Sequence, residues 1–146
     1  MVLSLLAAVI ASGVSFDCLP VKVWDGDSLE CSSGVKIRVS GIAAREVKRL
    51  GGQMVDAGCN DGHPCPRADA IASRNALVRL AGRSIGTGRH GHVLVKGKPL
   101  RCISTGSAGR DRVGAWCRVG NVDLSCAMVQ GGYALRWDRY WRGHRC

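Results

Sequence analysis

The sequence Trp24-Asp25-Gly26-Asp27-Ser28 interrupts an alternating apolar pattern near the start of the chain. Alternation on both sides predicts two β-strands, at residues 19–24 and 28–31, joined by a tight turn. Glycine at the centre tolerates a positive φ, and aspartates on either side hydrogen-bond their own backbone. A third strand is predicted at 35–42 after another short turn. The chain therefore opens with a curled three-stranded meander.

An arginine and a glutamate follow this turn at suggestive positions. Arg38 lies inside the third strand, and Glu46 comes shortly after it. Strand pairing would place Asp25, Asp27, Arg38 and Glu46 on one surface. Carboxylate oxygens suit Ca²⁺ or Mg²⁺, and an arginine fork matches the oxygens of a phosphate. The set is typical of a site that holds a cation and a phosphate together, whereas a plain hairpin turn is the alternative.

The beginning of the chain predicts export. The first fifteen residues carry no charged side chain, and an apolar run is followed by small residues. This pattern predicts a signal peptide at 1–15, which leaves one domain at 16–146. The apolar run is too short to cross a bilayer, and a buried terminal strand or helix is the alternative. We expect a periplasmic or secreted monomer without stable membrane association.

The cysteines support the same compartment. All eight lie after residue 15, and none forms a Cys-x-x-Cys motif. An even number with scattered spacing favours disulfides over zinc in an exported chain. We predict pairing between neighbours along the chain: Cys18–Cys31, Cys59–Cys65, Cys102–Cys117 and Cys126–Cys146.

The rest of the chain predicts an α+β, mainly β domain. A surface loop is expected at 43–63, helices at 67–81 and 124–131, and strands at 100–104 and 113–119. Residues 82–98 are turn-rich, and His90 and His92 indicate a solvated loop or hairpin tip more than a zinc site. Five strands with a helix between the third and fourth predict a disulfide-stapled OB-type barrel with two or three helices.

Charge and aromatic content point to a polyanionic partner. The formal net charge is +10, which favours polyanions without singling out nucleic acid. The tail interleaves arginines with the aromatic residues Tyr133, Trp137, Tyr140 and Trp141. Such rings stack on bases in single-strand binders. The alternative, which we favour slightly, is that the tryptophans pack onto the domain and arginines stack on them.

In this order the motifs resemble the thermonuclease (staphylococcal nuclease-like) family between about residues 19 and 137. The resemblance is carried by the turn at 25–28, Arg38, Glu46, the helix at 67–81, Asp111-Arg112-Val113-Gly114, and the string from Val129 to Ala134. It implies calcium-dependent hydrolysis of DNA and RNA. Asp27 would bind the cation, Arg38 would hold the phosphate, and Glu46 would serve the attacking water.

Two positions depart from that family. Its second calcium-binding aspartate corresponds to Ala43, and its second phosphate-binding arginine corresponds to Ala115. Asp27, together with Asp25, remains for Ca²⁺ or another divalent cation at a weakened site. Arg45, Arg110 and Arg112 are candidate replacements at the phosphate. With Tyr133 and Trp137 they complete the predicted nucleic-acid contacts.

The sequence leaves three functions open. The first is an exported nuclease with a modified site that acts on DNA or RNA. The second is a nucleic-acid-binding module on the nuclease fold with impaired catalysis. The third is a disulfide-stapled exported protein that binds another protein or an acidic glycan.

Overall fold

A computed structural model describes residues 9–146; residues 1–8 of the predicted signal peptide lie outside this range. The described chain is α+β and mainly β, as predicted, and has three helices: α1 (Ala70–Ala81), α2 (Leu124–Gln130) and α3 (Asp138–Trp141). None of the helices at 9–146 is long and apolar enough to cross a membrane.

One mixed sheet dominates the fold. Its strands are β1 (Ser15–Cys18), β2 (Pro20–Asp25), β3 (Ser28–Cys31), β4 (Lys36–Val39), β8 (Gly82–Thr87), β9 (Val93–Gly97), β10 (Leu100–Ser107), β11 (Arg112–Val119) and β12 (Val122–Asp123). Two small sheets join β5 (Ile42–Ala43) to β13 (Leu135–Arg136), and β6 (Glu46–Leu50) to β7 (Gln53–Gly58).

The predicted meander is present as β2, β3 and β4, which pair in antiparallel order. β4 then pairs in parallel with β11, and the strand order is β1-β10-β11-β4-β3-β2-β9-β8. Closing this sheet would require β1 to pair with β8, and no such pairing occurs among residues 9–146. The predicted OB-type barrel is therefore not confirmed. β1 pairs with the outer edge of β10, and β8 pairs with the outer edge of β9. A closed barrel would need these two edges for its closure.

The four disulfides are those predicted from the sequence. Cys18–Cys31 joins β1 to β3, and Cys102–Cys117 joins directly paired residues of β10 and β11. Cys59–Cys65 closes a loop after β7, and Cys126–Cys146 fastens the C-terminus to α2. Both cross-sheet bridges are buried within the core.

Helix α1 begins later than predicted. Asp69 caps it, because its Oδ1 accepts hydrogen bonds from the backbone N–H groups of Ile71 (2.8 Å) and Ala72 (3.3 Å). A side-chain cap of this kind fixes the first turn and outweighs the N-terminal preference of Pro66. Helix α2 follows its predicted cap, since Asp123 Oδ1 accepts from Cys126 N–H at 2.9 Å.

Two predicted irregular segments are strands. The expected loop at 43–63 contains the hairpin β6–β7, and the turn-rich segment 82–98 contains β8 and β9. Residues 88–92 form the tip of the β8–β9 hairpin, as predicted, and His90 is exposed there. His92 is instead buried against Trp24, with ring centroids 4.3 Å apart, so the predicted solvation was wrong for this residue. Burial lowers the pKa of His92, and the cations Lys22 and His90 act in the same direction.

Disulfide loop length predicts the order of stabilisation. Cys126–Cys146 spans 20 residues and Cys59–Cys65 spans 6. Chain entropy predicts that C126A/C146A loses about 3 kcal/mol of unfolding free energy and C59A/C65A about 2 kcal/mol. Urea unfolding of both variants measures the difference, and a larger loss in C59A/C65A would contradict the pairing scheme as the source of stability.

Candidate functional site

The Asp-Gly-Asp turn packs directly against helix α1. Gly26 does not have a positive φ, so the expected reason for glycine at this position was wrong. A Cβ at Gly26 would lie 2.8 Å from both Ala44 Cβ and Ser73 Cβ. Glycine is required because two other segments approach the turn closely. This approach fixes the aspartates beside residues 44–46.

The Asp27 carboxylate is buried, and both of its oxygens contact donor groups. Its Oδ2 accepts from Ala44 N–H at 3.0 Å and lies 3.2 Å from Arg38 Nη1. Its Oδ1 accepts from the Ser28 hydroxyl at 3.2 Å. Asp27 thereby joins the turn, β4 and the segment after β5.

Arg38 is turned inward. Besides contacting Asp27, its guanidinium donates to the carbonyl oxygens of Val39 (3.1 Å) and Ile42 (2.9 Å). Its side chain is 14% exposed. The pairing of Ser28 with Arg38 in the β3–β4 register explains why the arginine reaches the turn. The guanidinium is held within the fold, yet it lines a surface cavity.

Asp25 connects this ion pair to Glu46. Burial raises the pKa of Asp25 well above its usual value, and the charges and hydrogen bonds of Asp27 and Glu46 raise it further. Asp25 Oδ1 also accepts a hydrogen bond from the backbone N–H of Asp27 at 3.2 Å. The structure therefore brings the four predicted residues together: Glu46 and Asp27 both act on Asp25, and Asp27 pairs with Arg38. We call this set, Glu46–Asp25–Asp27–Arg38, the carboxylate chain.

The Arg45 side chain binds Asp56 and is not part of the carboxylate chain. Its Nε donates to Asp56 Oδ2 at 2.8 Å, and its Nη1 lies near Cys65 Sγ and the Pro66 carbonyl. Asp56 also accepts from the N–H groups of Gly58 (2.6 Å) and Ala70 (2.8 Å). The pair ties the β6–β7 hairpin to the start of α1. Sequence reasoning missed Asp56, because its role depends on a hairpin that was predicted as a loop.

Two other predicted arginines do approach the carboxylate chain. Arg110 and Arg112 line a cavity of about 260 Å³ together with Asp25 and Lys36. The Nε of Arg112 is buried without a hydrogen-bond partner. This cavity is the place where cationic side chains and a carboxylate of the chain share one surface.

The two departures from the thermonuclease pattern lie in the core. Ala43 and Ala115 are both 0% exposed. Ala43 pairs with Leu135, and Ala115 pairs with Val39. An aspartate or arginine at these positions would bury a charged side chain, which is costly without a partner.

Arg38 lines a second cavity, with a volume of about 660 Å³. It is lined by Arg112, Trp137, Tyr140, Arg142 and His63, among others. Trp137 packs against His63 and Tyr140, with centroid distances of 4.4 and 4.8 Å.

The rest of the aromatic tail is docked onto the domain. Trp141 is 6% exposed, and Arg136 lies over its ring at 5.4 Å. Tyr133 packs against the core, and its backbone carbonyl accepts from the Ser73 hydroxyl. Of the two tail residues predicted to bind nucleic acid, only Trp137 lines one of these two cavities.

One cluster has the donor atoms of a metal site: Asp123, Cys126 and His144, within 4.8 Å of one another. The sulfur of Cys126 is bonded to Cys146, so it supplies no thiolate. His144 instead contacts Asp123 Oδ2 at 2.7 Å and stacks on Trp116 at 3.7 Å. We interpret this cluster as a set of contacts that attaches the C-terminal tail to the domain.

The chain was compared with known proteins. No protein-family model matches it, and no curated protein sequence matches it.

The Arg45–Asp56 pair predicts acid sensitivity. The hydrogen bond from Arg45, with those from Ala70 and Gly58, lowers the pKa of Asp56 from 3.8 to about 2. The ionised Asp56 carboxylate adds to the free energy of unfolding. This addition is fully present above the pKa of Asp56 in the unfolded chain and is lost as the pH falls through about 2. Unfolding free energies between pH 2 and pH 6 should therefore vary less with pH in Asp56→Asn than in the unmodified protein. Arg45→Gln should flatten the profile as well, and parallel profiles in all three proteins would contradict this role.

Proposed function

We propose that this chain is an exported, divalent-cation-dependent phosphodiesterase that acts on DNA or RNA through a modified thermonuclease-like site. The observation that carries the proposal is the carboxylate chain: three acidic side chains close enough for their charges to interact, with Arg38 paired to one of them. Like charges this close are unfavourable unless a proton or a cation lies among them. The net charge of +10 makes a polyanionic substrate favourable.

The donor set fits a hard cation. Asp25, Asp27 and Glu46 offer only oxygen ligands, as Ca²⁺ and Mg²⁺ require. A bound cation would polarise the phosphate and stabilise the charge of the transition state. A cation bound among these carboxyl groups would favour their ionised forms. Because Ala43 supplies no second aspartate, we expect weak affinity and no strict selectivity for calcium.

The remaining roles fall to residues of this chain. Glu46, at the half-buried start of β6, would accept a proton from the attacking water. Arg110 and Arg112 line the cavity beside Asp25 and would contact the phosphate there. Arg38 would stabilise the charged transition state at the Asp27 end of the carboxylate chain. The unpartnered Nε of Arg112 is a donor that an anion could satisfy.

The proposal also covers the compartment, the fold relationship and the oligomeric state of the protein. Four disulfides are expected in an oxidising compartment, which supports a periplasmic or secreted location. The antiparallel meander and the parallel β4–β11 pairing support an OB-type relationship among the central strands. We take the protein to act as a monomer.

A second candidate function is nucleic-acid binding without hydrolysis. The observation that favours it is the engagement of Arg38 by Asp27 and two carbonyl oxygens, which leaves little of its guanidinium for a phosphate. Burial of Ala43 and Ala115 leaves two catalytic roles unfilled at those positions. The 660 Å³ cavity, with Trp137 beside Arg112 and Arg142, would support stacking and phosphate contacts.

Replacing Glu46 separates the two functions. We expect the unmodified, oxidised protein to cleave single-stranded DNA or RNA with Ca²⁺, Mg²⁺ or Mn²⁺ and to lose this activity in EDTA. Glu46→Gln should lower the rate by about 10²–10⁴-fold, because a proton acceptor is removed. Oligonucleotide binding should change little.

Glu30→Gln is the matched control, since Glu30 is a half-buried glutamate of β3 that pairs with Lys22 at 3.7 Å. It should retain activity. Cleavage that persists in Glu46→Gln would rule out the assigned role. Salt-sensitive binding without any metal-dependent cleavage would instead support the binding module.

A further inference from the structure

The β6–β7 hairpin carries a charge pattern that the proposed site does not use. Its acids, Glu46 and Asp56, lie at its base, where one joins the carboxylate chain and the other binds Arg45. Its cations, Lys48 and Arg49, lie towards the tip and are exposed. The hairpin therefore has its acidic side chains where it joins the domain and its cationic side chains where it meets solvent.

The tip is a tight two-residue turn that follows an exposed leucine. Leu50 pairs with Gln53 across Gly51 and Gly52, whose φ values are +57° and +80°. Positive φ at both central residues is typical of a type I′ turn, which matches the twist of the strands. Leu50 is 61% exposed. The tip thus presents an apolar side chain beside two cationic ones.

The hairpin is also braced from one side. Arg49 Nη1 donates to the backbone carbonyl of Arg89 at 3.1 Å. The Met54 side chain packs closely against Gly91. These contacts hold the hairpin against the 88–91 segment, so its tip keeps a defined position relative to the carboxylate chain.

We propose that the tip of this hairpin, Lys48-Arg49-Leu50, is a docking surface for a nucleic-acid strand beyond the site of cleavage. Lys48 and Arg49 contact backbone phosphates, and Leu50 packs against a base or wedges between two bases. This inference rests on the proposed function, because it assigns where the same polyanionic substrate lies outside the carboxylate chain.

The distance from Glu46 to Leu50 along β6 sets how long a substrate must be to contact both. Glu46 and Leu50 are four residues apart on one strand, which spans about 14 Å at about 3.4 Å per residue. Phosphates along one duplex strand are spaced by about 3.4 Å of helix axis. A duplex with its axis along β6 would therefore meet the tip about four phosphates from the site of cleavage, and oligonucleotides of three nucleotides would not reach it.

The test is a binding measurement in EDTA, where metal-dependent cleavage cannot interfere. A fluorescein-labelled 24-base-pair DNA is titrated with the unmodified protein, K48Q/R49Q, and the control R118Q/R145Q. The control removes the same charge from exposed arginines on β11 and in the C-terminal tail. Affinity is measured over a series of salt concentrations.

We expect K48Q/R49Q to bind about tenfold or more weakly at 0.1 M salt. Its log–log salt dependence should become shallower by about 1.8, since two phosphate contacts are lost. The control should show a clearly smaller change. Leu50→Ser should weaken binding without changing the salt dependence. On oligonucleotides of three nucleotides, K48Q/R49Q and the unmodified protein should be indistinguishable.

Equal salt dependence in K48Q/R49Q and the control would overturn the inference, and so would a failure of the unmodified protein to bind the 24-mer. Binding to vesicles of phosphatidylserine and phosphatidylcholine that depends on Lys48 and Arg49, with unchanged DNA binding, would also overturn it in favour of a membrane surface. The proposed function fails by a different readout, the absence of metal-dependent cleavage lost in Glu46→Gln.

Discussion

The contact between the Asp27 carboxylate and its three donors is the interaction on which the site depends. One side chain connects the Asp-Gly-Asp turn to Arg38 on β4 and to the backbone at Ala44. Because these segments are held together, Glu46 enters its hairpin beside Asp25. The same carboxylate is a candidate cation ligand. The Asp27 carboxylate thus has two roles, since it holds three segments together and would also bind the cation. Removing its donors would leave a buried acceptor without hydrogen bonds, which is costly.

The placement of charge follows from these two roles. Acidic side chains are gathered at the carboxylate chain, where burial and neighbouring charges raise the pKa of Asp25, while the protein as a whole carries a net charge of +10. The basic surface would draw a polyanion towards the domain, and the acidic centre would hold a cation against it. The Asp27–Arg38 pair neutralises the inner end of this arrangement, with an N···O distance of 3.2 Å.

Local patterns predicted the meander, the disulfides and helix α2, because each depends on residues close in sequence. The position of Arg38 beside the turn also followed from strand pairing. The β6–β7 hairpin was missed although Gly51-Gly52 is a two-residue turn signal, because its strands are polar and exposed and carry little apolar alternation. Arg45 could not be placed for that reason, since its partner Asp56 is brought to it only by the hairpin register. The close approach at Gly26 likewise depends on Ser73, a residue distant in sequence that no local pattern indicates.

Cation binding to the carboxylate chain is the most direct test. Isothermal titration calorimetry of the oxidised protein with Ca²⁺ and with Mn²⁺ would count the ions bound per chain. We expect one divalent cation per chain in the unmodified protein and none in Asp25→Asn, with the fold of that variant confirmed by circular dichroism. Absence of binding by either cation, or equal binding in Asp25→Asn, would contradict the assignment of these carboxylates to a metal-dependent site.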